Sequence, residues 1–216
     1  MSESDVHTST RGYVFTTRWF ELNARRLWDT LIPQVNPRRI LEIGSFEGAS
    51  ACYMIDSLGP KHALELHCVD SWEGSIEHRR RGLDMSATEQ RFHNNVNIAI
   101  GASPNPVDLV VHKEYSDLAL AKLLANGKAG YFDFVYIDGS HQAPDVLYDA
   151  VVGFKLLRVG GTMAFDDYLW SDKLAGMKDP IRMPKPAIDA FVNLNLRKLQ
   201  QLNAPCIQLY VQKIAD

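Results

Sequence analysis

The 216-residue chain has three cysteines, Cys52, Cys68 and Cys206, an odd number with no Cys-x-x-Cys pair. That count excludes a disulfide framework and fits a reducing cytoplasm. Cys68 and Cys206 lie in strand-like runs and read as small core residues. No Cys/His spacing points to zinc. No apolar run approaches the roughly 18–20 residues that span a bilayer. Met1–Arg11 is polar, carries Glu3 and Asp5, and lacks the basic and apolar regions of a signal peptide. Neither sign of charge dominates: 23 Lys+Arg stand against 26 Asp+Glu, a formal net charge of −3. This argues against a general nucleic-acid binder. The one basic run, His78–Arg81, reads first as a solvated face and second as a phosphate-binding patch. Internal repeats, low-complexity blocks and long linkers are missing too. The expectation is a cytoplasmic protein with a small-molecule partner and neither nucleic acid nor membrane; a homodimer is left open.

What is present is an ordinary globular balance, 46% apolar and 23% charged residues. A chain of this length buries roughly 70% of its unfolded surface, enough for a core without staples. One domain over 1–216 is expected. Within it, 1–37 forms an N-terminal helical cap and 73–101 an insertion or lid between the second and third strands.

The pattern alternates. Apolar runs at Arg39–Gly44, Leu64–Asp70, Val107–His112, Tyr131–Asp138 and Gly161–Phe165 read as strands. Helical spacing marks Ala49–Leu58, Asp117–Leu124, Pro144–Leu157 and Ala187–Leu196. Lys198–Leu202 and Cys206–Val211 close the chain as two strands with no helix between them. This rhythm predicts an α/β fold: a mostly parallel sheet with helices on both faces and an antiparallel C-terminal hairpin. Ligands of such sheets bind at the carboxyl ends of the strands. The residues after each strand therefore become the candidates.

After the first strand comes Glu42-Ile43-Gly44-Ser45-Phe46-Glu47-Gly48. Gly44 permits a tight turn and Gly48 a close helix. The segment matches neither the dinucleotide G-x-G-x-x-G pattern nor a Walker loop. Glu42 and Glu47 would repel a pyrophosphate and suit a cofactor bearing an amino group or sulfonium. The second strand ends in Asp70, 22 positions after Gly48, where a carboxylate accepts hydrogen bonds from ribose hydroxyls. The plainer alternative is a turn at the glycines and a helix cap at Asp70.

Glu42-x-Gly44-x-x-x-Gly48 with Asp70 resembles the class I S-adenosylmethionine-dependent methyltransferases, and the resemblance runs on through Tyr131–Asp138, Gly160-Gly161 and the terminal hairpin. It implies a Rossmann-like seven-stranded sheet with the last strand antiparallel. It also implies Glu42, Gly44, Ser45, Gly48 and Asp138 in the cofactor site, with Gly44 backing the methionine part, Asp70 on the ribose, and Ser71 or Trp72 beside the adenine. Glu114 and Tyr115 would face the adenine from the third strand. A Trp72 buried in the core is the competing reading.

Asp138 follows the fourth strand, and Asp166 and Asp167 follow the fifth. Adjacent strands lie about 4.8 Å apart, so three carboxylates converge and repel unless a hard divalent cation, magnesium by preference, compensates them. Ile137-Asp138-Gly139-Ser140-His141 with Phe165-Asp166-Asp167-Tyr168 is similar to a branch of small methyltransferases that includes sugar and glycoside O-methyltransferases. The metal-dependent catechol enzymes share the acidic positions more distantly. The resemblance implies Asp138, Asp166 and Asp167 as metal ligands, and His141 stands where the catechol enzymes carry a lysine. In the expected reaction His141 or Asp138 takes the proton of a substrate hydroxyl, which attacks the sulfonium methyl. The alternatives are a metal-independent, N-directed methyltransferase and a non-catalytic cofactor-binding protein. No two-histidine iron triad is visible, which argues against an oxidative relative.

On the substrate side, Trp19, Phe20, Leu27 and Trp28 share helical spacing, as a core stripe or as a substrate wall. Ser171–Pro186 is a further flexible candidate.

Overall fold

The computed structural model describes residues 7–8, 11–171, 179–205 and 207–216. Cys206 and residues 172–178 of the expected Ser171–Pro186 segment lie outside the described residues. In the N-terminal part, β1 (His7–Thr8) and β2 (Val14–Phe15) form a short antiparallel ribbon, followed by α1 (Trp19–Leu22) and α2 (Arg25–Val35). The main body then alternates: β3 (Arg39–Ile43), α3 (Ala49–Leu58), β4 (Leu64–Val69), α4 (Ile76–Arg80), α5 (Met85–Ala102), β5 (Val107–His112), α6 (Ser116–Ala125), β6 (Phe132–Ile137), α7 (Ala143–Leu156) and β7 (Leu157–Phe165). It closes with α8 (Pro184–Leu194), β8 (Leu199–Leu202) and β9 (Leu209–Lys213).

Seven strands make one sheet in the order β5-β4-β3-β6-β7-β9-β8. The first five are parallel, and β9 runs antiparallel between β7 and β8. The expected fold is therefore present, with the last strand inserted beside β7 and β8 left at the edge. The chain winds outward from β3 to β5 and returns to β6. The loops after β3 and β6 thus diverge and leave a crevice between them.

Strand parity divides the core in two. Leu41, Ile43, Val135 and Ile137 face α6, α7 and α8. Ile40, Leu66, Phe134 and Tyr136 face α2, α3 and α5. Neighbouring residues point to opposite faces, so strands covered on both sides read as continuous apolar runs. Trp28 and Ile32, four apart on α2, are fully buried; Trp28 lies edge-on to Phe134 and Tyr136 at 5.8 and 4.7 Å.

The expected insertion 73–101 divides. Residues 85–102 form an 18-residue helix capped by Asp84, whose side chain accepts from the Ala87 amide at 3.1 Å. Thr88, Phe92, Asn95, Val96 and Ala99 along it are buried. This is the crossover helix of a βαβ unit, and it belongs to the core. Only 73–84, with α4, stays at the rim. The helix expected through Leu157 ends at Leu156, because Leu157 is drawn into the sheet opposite Phe132.

Candidate active site

Gly44 closes the crevice. Its φ is +87°, and a Cβ there would collide with the Asp138 carbonyl oxygen and lie 2.7 Å from Gly139 Cα. Only glycine lets the loops after β3 and β6 pass each other so closely. Gly48, also at positive φ, has a different neighbour: a Cβ would meet Phe92 and Val96 of α5 at 3.0 and 3.1 Å. It serves the packing of α3 on α5.

Glu42 is 2% exposed beneath the loop. It accepts from Ser45 Oγ at 2.6 Å, from Ser50 Oγ, and from Cys68 Sγ at 3.4 Å. Burial pushes its carboxyl up, and the two serines oppose that. Glu42 shapes the loop from behind and is not on the cavity wall. Asp70 is committed to the same loop. Its Oδ2 accepts from the amides of Ser45 (3.0 Å) and Phe46 (2.9 Å), and its Oδ1 from that of Trp72 (2.8 Å). A carboxylate has about four acceptor sites, so a two-hydroxyl grip on a ribose would share lone pairs with these amides.

Trp72 is 5% exposed and packs on Phe92 and His93. Its indole N–H donates to the Phe46 carbonyl at 2.9 Å. It sits with the core and off the cavity wall, not beside an adenine as the resemblance implied. Ser71, Glu114 and Tyr115 do line the cavity; Glu114 holds Lys122 and Tyr115 donates to Glu73, each at 2.5 Å.

The acids converge in part. The Tyr136 phenol lies between two carboxylates, 3.0 Å from Asp138 Oδ2 and 2.5 Å from Asp166 Oδ2. Burial first, then the charges of Asp166 and Asp167, hold the Asp138 carboxyl well above the usual carboxylate range. Asp166 is raised too, by burial and by Asp167. Asp167, at φ +53°, turns away and accepts from His141 Nε2 at 2.9 Å. His141 Nδ1 is buried with no partner, and the ring packs on Trp170 at 4.1 Å. Because Nε2 donates to a carboxylate, Nδ1 carries the lone pair of the neutral ring.

Among the described residues no three His, Cys, Asp or Glu side chains gather closely enough to hold a metal ion. Tyr136 fills the gap between Asp138 and Asp166, and Asp167 faces His141. In chemistry the donor set suits a hard cation. All three groups offer carboxylate oxygens, and the repulsion that raises Asp138 is what a dication relieves. Closing such a site requires Asp167 to leave His141.

A cavity of about 1490 Å³ joins these groups to the N-terminal segment. Pockets that hold one small ligand measure roughly 300–1,000 Å³, so this cavity has room for two. The expected stripe on α1 and α2 splits here: Trp28 enters the core, while Trp19 and Phe20 line the cavity. Sequence reasoning missed what pins this segment. Glu47, 2% exposed, accepts from the amide and hydroxyl of Thr16, both at 2.7 Å, and from Arg91 Nε at 2.5 Å. Asn95 pairs with both backbone groups of Val14 at 2.8 and 2.9 Å. Glu47→Ala orphans an amide and a guanidinium, and should cost roughly 2–4 kcal/mol. The checks are a denaturant melt and faster amide exchange at 13–16. Tyr136 was missed as well. Its signal was parity, because residues 136 and 138 share one face of a strand.

Known proteins agree with this architecture. The family described as "Methyltransferase domain" matches residues 41–168, more than half of the chain. "Probable caffeoyl-CoA O-methyltransferase 3" of Dictyostelium discoideum is 23% identical over 149 residues, 68% of this chain and 51% of the relative. The caffeoyl-CoA O-methyltransferase of Populus kitakamiensis is 24% identical over 174 residues, 78% of this chain and 65% of the relative. The chain thus spans between half and two thirds of the length of these curated relatives. Among solved structures, the O-methyltransferase TomG from Streptomyces achromogenes, in complex with SAM, superposes with a TM-score of 0.61 at 19% identity, covering 88% of this chain and 79% of that one. The O-methyltransferase from Bacillus cereus, in complex with SAH, gives 0.58 at 19% identity, covering 87% and 80%. At these identities the likeness is one of fold. No helix among the described residues is long and apolar enough to cross a membrane. With a glycine crossing between β3 and β6, acids on the adjoining rim, and a family match that spans both, this chain belongs to the methyltransferase domain family.

Proposed function

We propose that the protein is an S-adenosylmethionine-dependent O-methyltransferase acting on a hydroxyl of a small acceptor, a sugar or glycosylated metabolite, with a divalent cation. The observation that carries this reading is the meeting of Gly44 with Asp138 at the mouth of a cavity large enough for two reactants. In this reading the Gly44–Ser45 backbone cradles the methionine end and Asp70 steadies that loop beside the ribose. Ser71, Glu114 and Tyr115 lie toward the adenine.

Asp138, Asp166 and Asp167 are the residues that would hold magnesium. The cation would supply Lewis-acid stabilisation of the acceptor oxyanion. The chain's own groups handle the proton. Asp138, held above the usual carboxylate range by burial and by Asp166 and Asp167, is a stronger base than a free carboxylate and is placed to take the hydroxyl proton. His141 offers Nδ1 as the alternative base, oriented by Asp167 through Nε2. Cavity walls then hold oxygen and methyl in line.

A second acceptor reading comes from the relatives' names, which carry caffeoyl-CoA. The rings of Trp19, Phe20 and Trp170 on the cavity wall favour a ring-bearing acceptor. A cytoplasmic setting belongs to the same proposal.

The first test needs no acceptor. S-adenosylhomocysteine at about 100 times its Kd should stabilise the fold by about 2.7 kcal/mol. For a chain of this size that raises Tm by roughly 5–10 °C. No heat of binding and no rise in Tm for either S-adenosylmethionine or its demethylated product sinks the proposal and leaves the family fold. Once an acceptor is found, turnover should stop with chelator and return with magnesium. Turnover indifferent to both selects the metal-independent alternative.

A further inference from the structure

Asp149 on α7 takes no part in the site described above. Its residue is 1% exposed, and neither carboxylate oxygen has a partner in good hydrogen-bond geometry; the Ser116 side chain is the neutral donor near it. It lies under the turn that follows Asp138: a Cβ built on Gly139 would stand 3.9 Å from Asp149 Oδ2. Three elements meet around it. In the turn, Ser140 Oγ donates to Asp145 of α7 at 2.7 Å. From α7, the Tyr148 phenol donates to the Asp117 carbonyl of α6 at 2.9 Å. At the start of α6, Ser116 is the neighbour that favours the charged form of Asp149.

We propose that Asp149 is a positioning residue for the cofactor lobe: a sealed carboxyl group that, while it carries its proton, keeps the Gly139–Ser140 turn seated against the start of α6. The proposal rests on the cofactor reading above. Ser116 and Tyr148 line the cavity beside Tyr115, at the end assigned to the adenine, Gly139 and Ser140 line it next to the Gly44 crossing, and Asp149 stands behind the joint between them. The charged groups that bear on it, Asp145 and Asp117, are both acids, and the Tyr148 phenol faces it as well. Burial, with these acids adding to it, pushes the carboxyl up to about 7. A lone ionised carboxylate in such a place is costly. Ionisation sets three acids against one another across the joint between α6, α7 and the turn, and loosens the wall on which the cofactor rests.

The cofactor product therefore binds best to the protonated form. One proton changes affinity by at most tenfold per pH unit. Calorimetry of the full chain with S-adenosylhomocysteine should show affinity falling about tenfold from about pH 6 to about pH 8.5. Near pH 7.5, binding should take up a fraction of a proton, read from the heats in two buffers of different ionisation enthalpy. Asp149→Asn, shaped like the neutral acid, should keep the low-pH affinity throughout and take up no proton. A merely structural role would lower the melting temperature without moving proton uptake. Wild-type affinity with no slope and no uptake overturns the proposal, as does a slope that D149N retains. If D149N does not fold, wild-type proton uptake decides. Wild type that binds no S-adenosylhomocysteine at any pH overturns the cofactor reading itself, and this role with it.

Discussion

Gly44→Ala is expected to abolish cofactor binding and to destabilise the fold by roughly 2–5 kcal/mol, the sum of a strained left-handed residue and an overpacked contact. The added methyl meets backbone: the Asp138 carbonyl and Gly139 Cα. No rotamer change relieves that contact. The loops after β3 and β6 must separate, and they carry Ser45 on one side and Asp138 on the other. The Gly44 amide donates to the Val69 carbonyl at 2.8 Å, and that of Asp138 to the Ile43 carbonyl at 2.8 Å. Displacement therefore strains two ladder ends at once. A thermal melt with and without S-adenosylhomocysteine measures both effects. A G44A protein that binds the ligand as wild type does would show that the crossing is looser than its geometry implies. By contrast Gly12, which meets nothing within 4 Å, should tolerate alanine at a cost limited to its own positive φ.

Asp138→Asn should lower kcat/KM by about 10³, or roughly 4 kcal/mol of transition-state stabilisation, with the fold intact. Asparagine keeps the shape and can still meet the Tyr136 phenol. It removes the charge and the basic oxygen, and with them every role proposed for Asp138. The stability effect has a definite sign. Asp138 has a folded-state pKa raised above its unfolded value, so the charged form is disfavoured by folding. That penalty grows as pH rises above the ordinary carboxylate range. Asparagine carries no such penalty, so D138N should melt no lower than wild type at neutral pH. Methyl transfer to an accepted acceptor, followed with labelled cofactor beside a circular-dichroism melt, separates chemistry from folding. Turnover within threefold of wild type would remove Asp138 from the reaction and leave the cofactor site standing.

The central strands β3, β4, β6 and β7 were legible because they are covered on both faces and are followed by glycine or aspartate. Buried parallel strands need continuous apolar side chains, and turns need the residues that leave the sheet. The rim residues were legible for the same reason. Gly44, Asp70, Asp138, Asp166 and Asp167 follow strands, and strand ends in this topology share one edge. The core helix over 85–102 was not legible within the 73–101 segment because its buried stripe includes Thr88 and Asn95. Asn95 is buried, yet its amide is fully used by Val14 and Glu47. A polar residue whose partners are 81 and 48 positions away gives no local sign of being core.

Trp72 and Glu42 show a further limit. Both occupy positions where the sequence pattern implied contact with a cofactor. Each instead faces inward, Trp72 onto α5 and Glu42 onto two serines. Position along the chain places a residue at a strand end; its side chain then follows whichever partner the neighbouring elements offer. Tyr136 and Asp149 show the converse. Neither stands out in sequence, being an aromatic within a strand and an acid within a helix.

The sequence by itself determined the fold class, the order of β and α elements, and the rim on which the acids and the first glycine gather. These follow from periodicity and from chain punctuation, which are local properties. Tertiary structure alone decided that Tyr136 comes between Asp138 and Asp166, that Asp167 turns to His141, and that Asp149 is sealed with no partner in good hydrogen-bond geometry. Those outcomes depend on distances between side chains from different strands and helices. Burial then converts those distances into charge states, because a carboxylate removed from water answers to its few nearest neighbours.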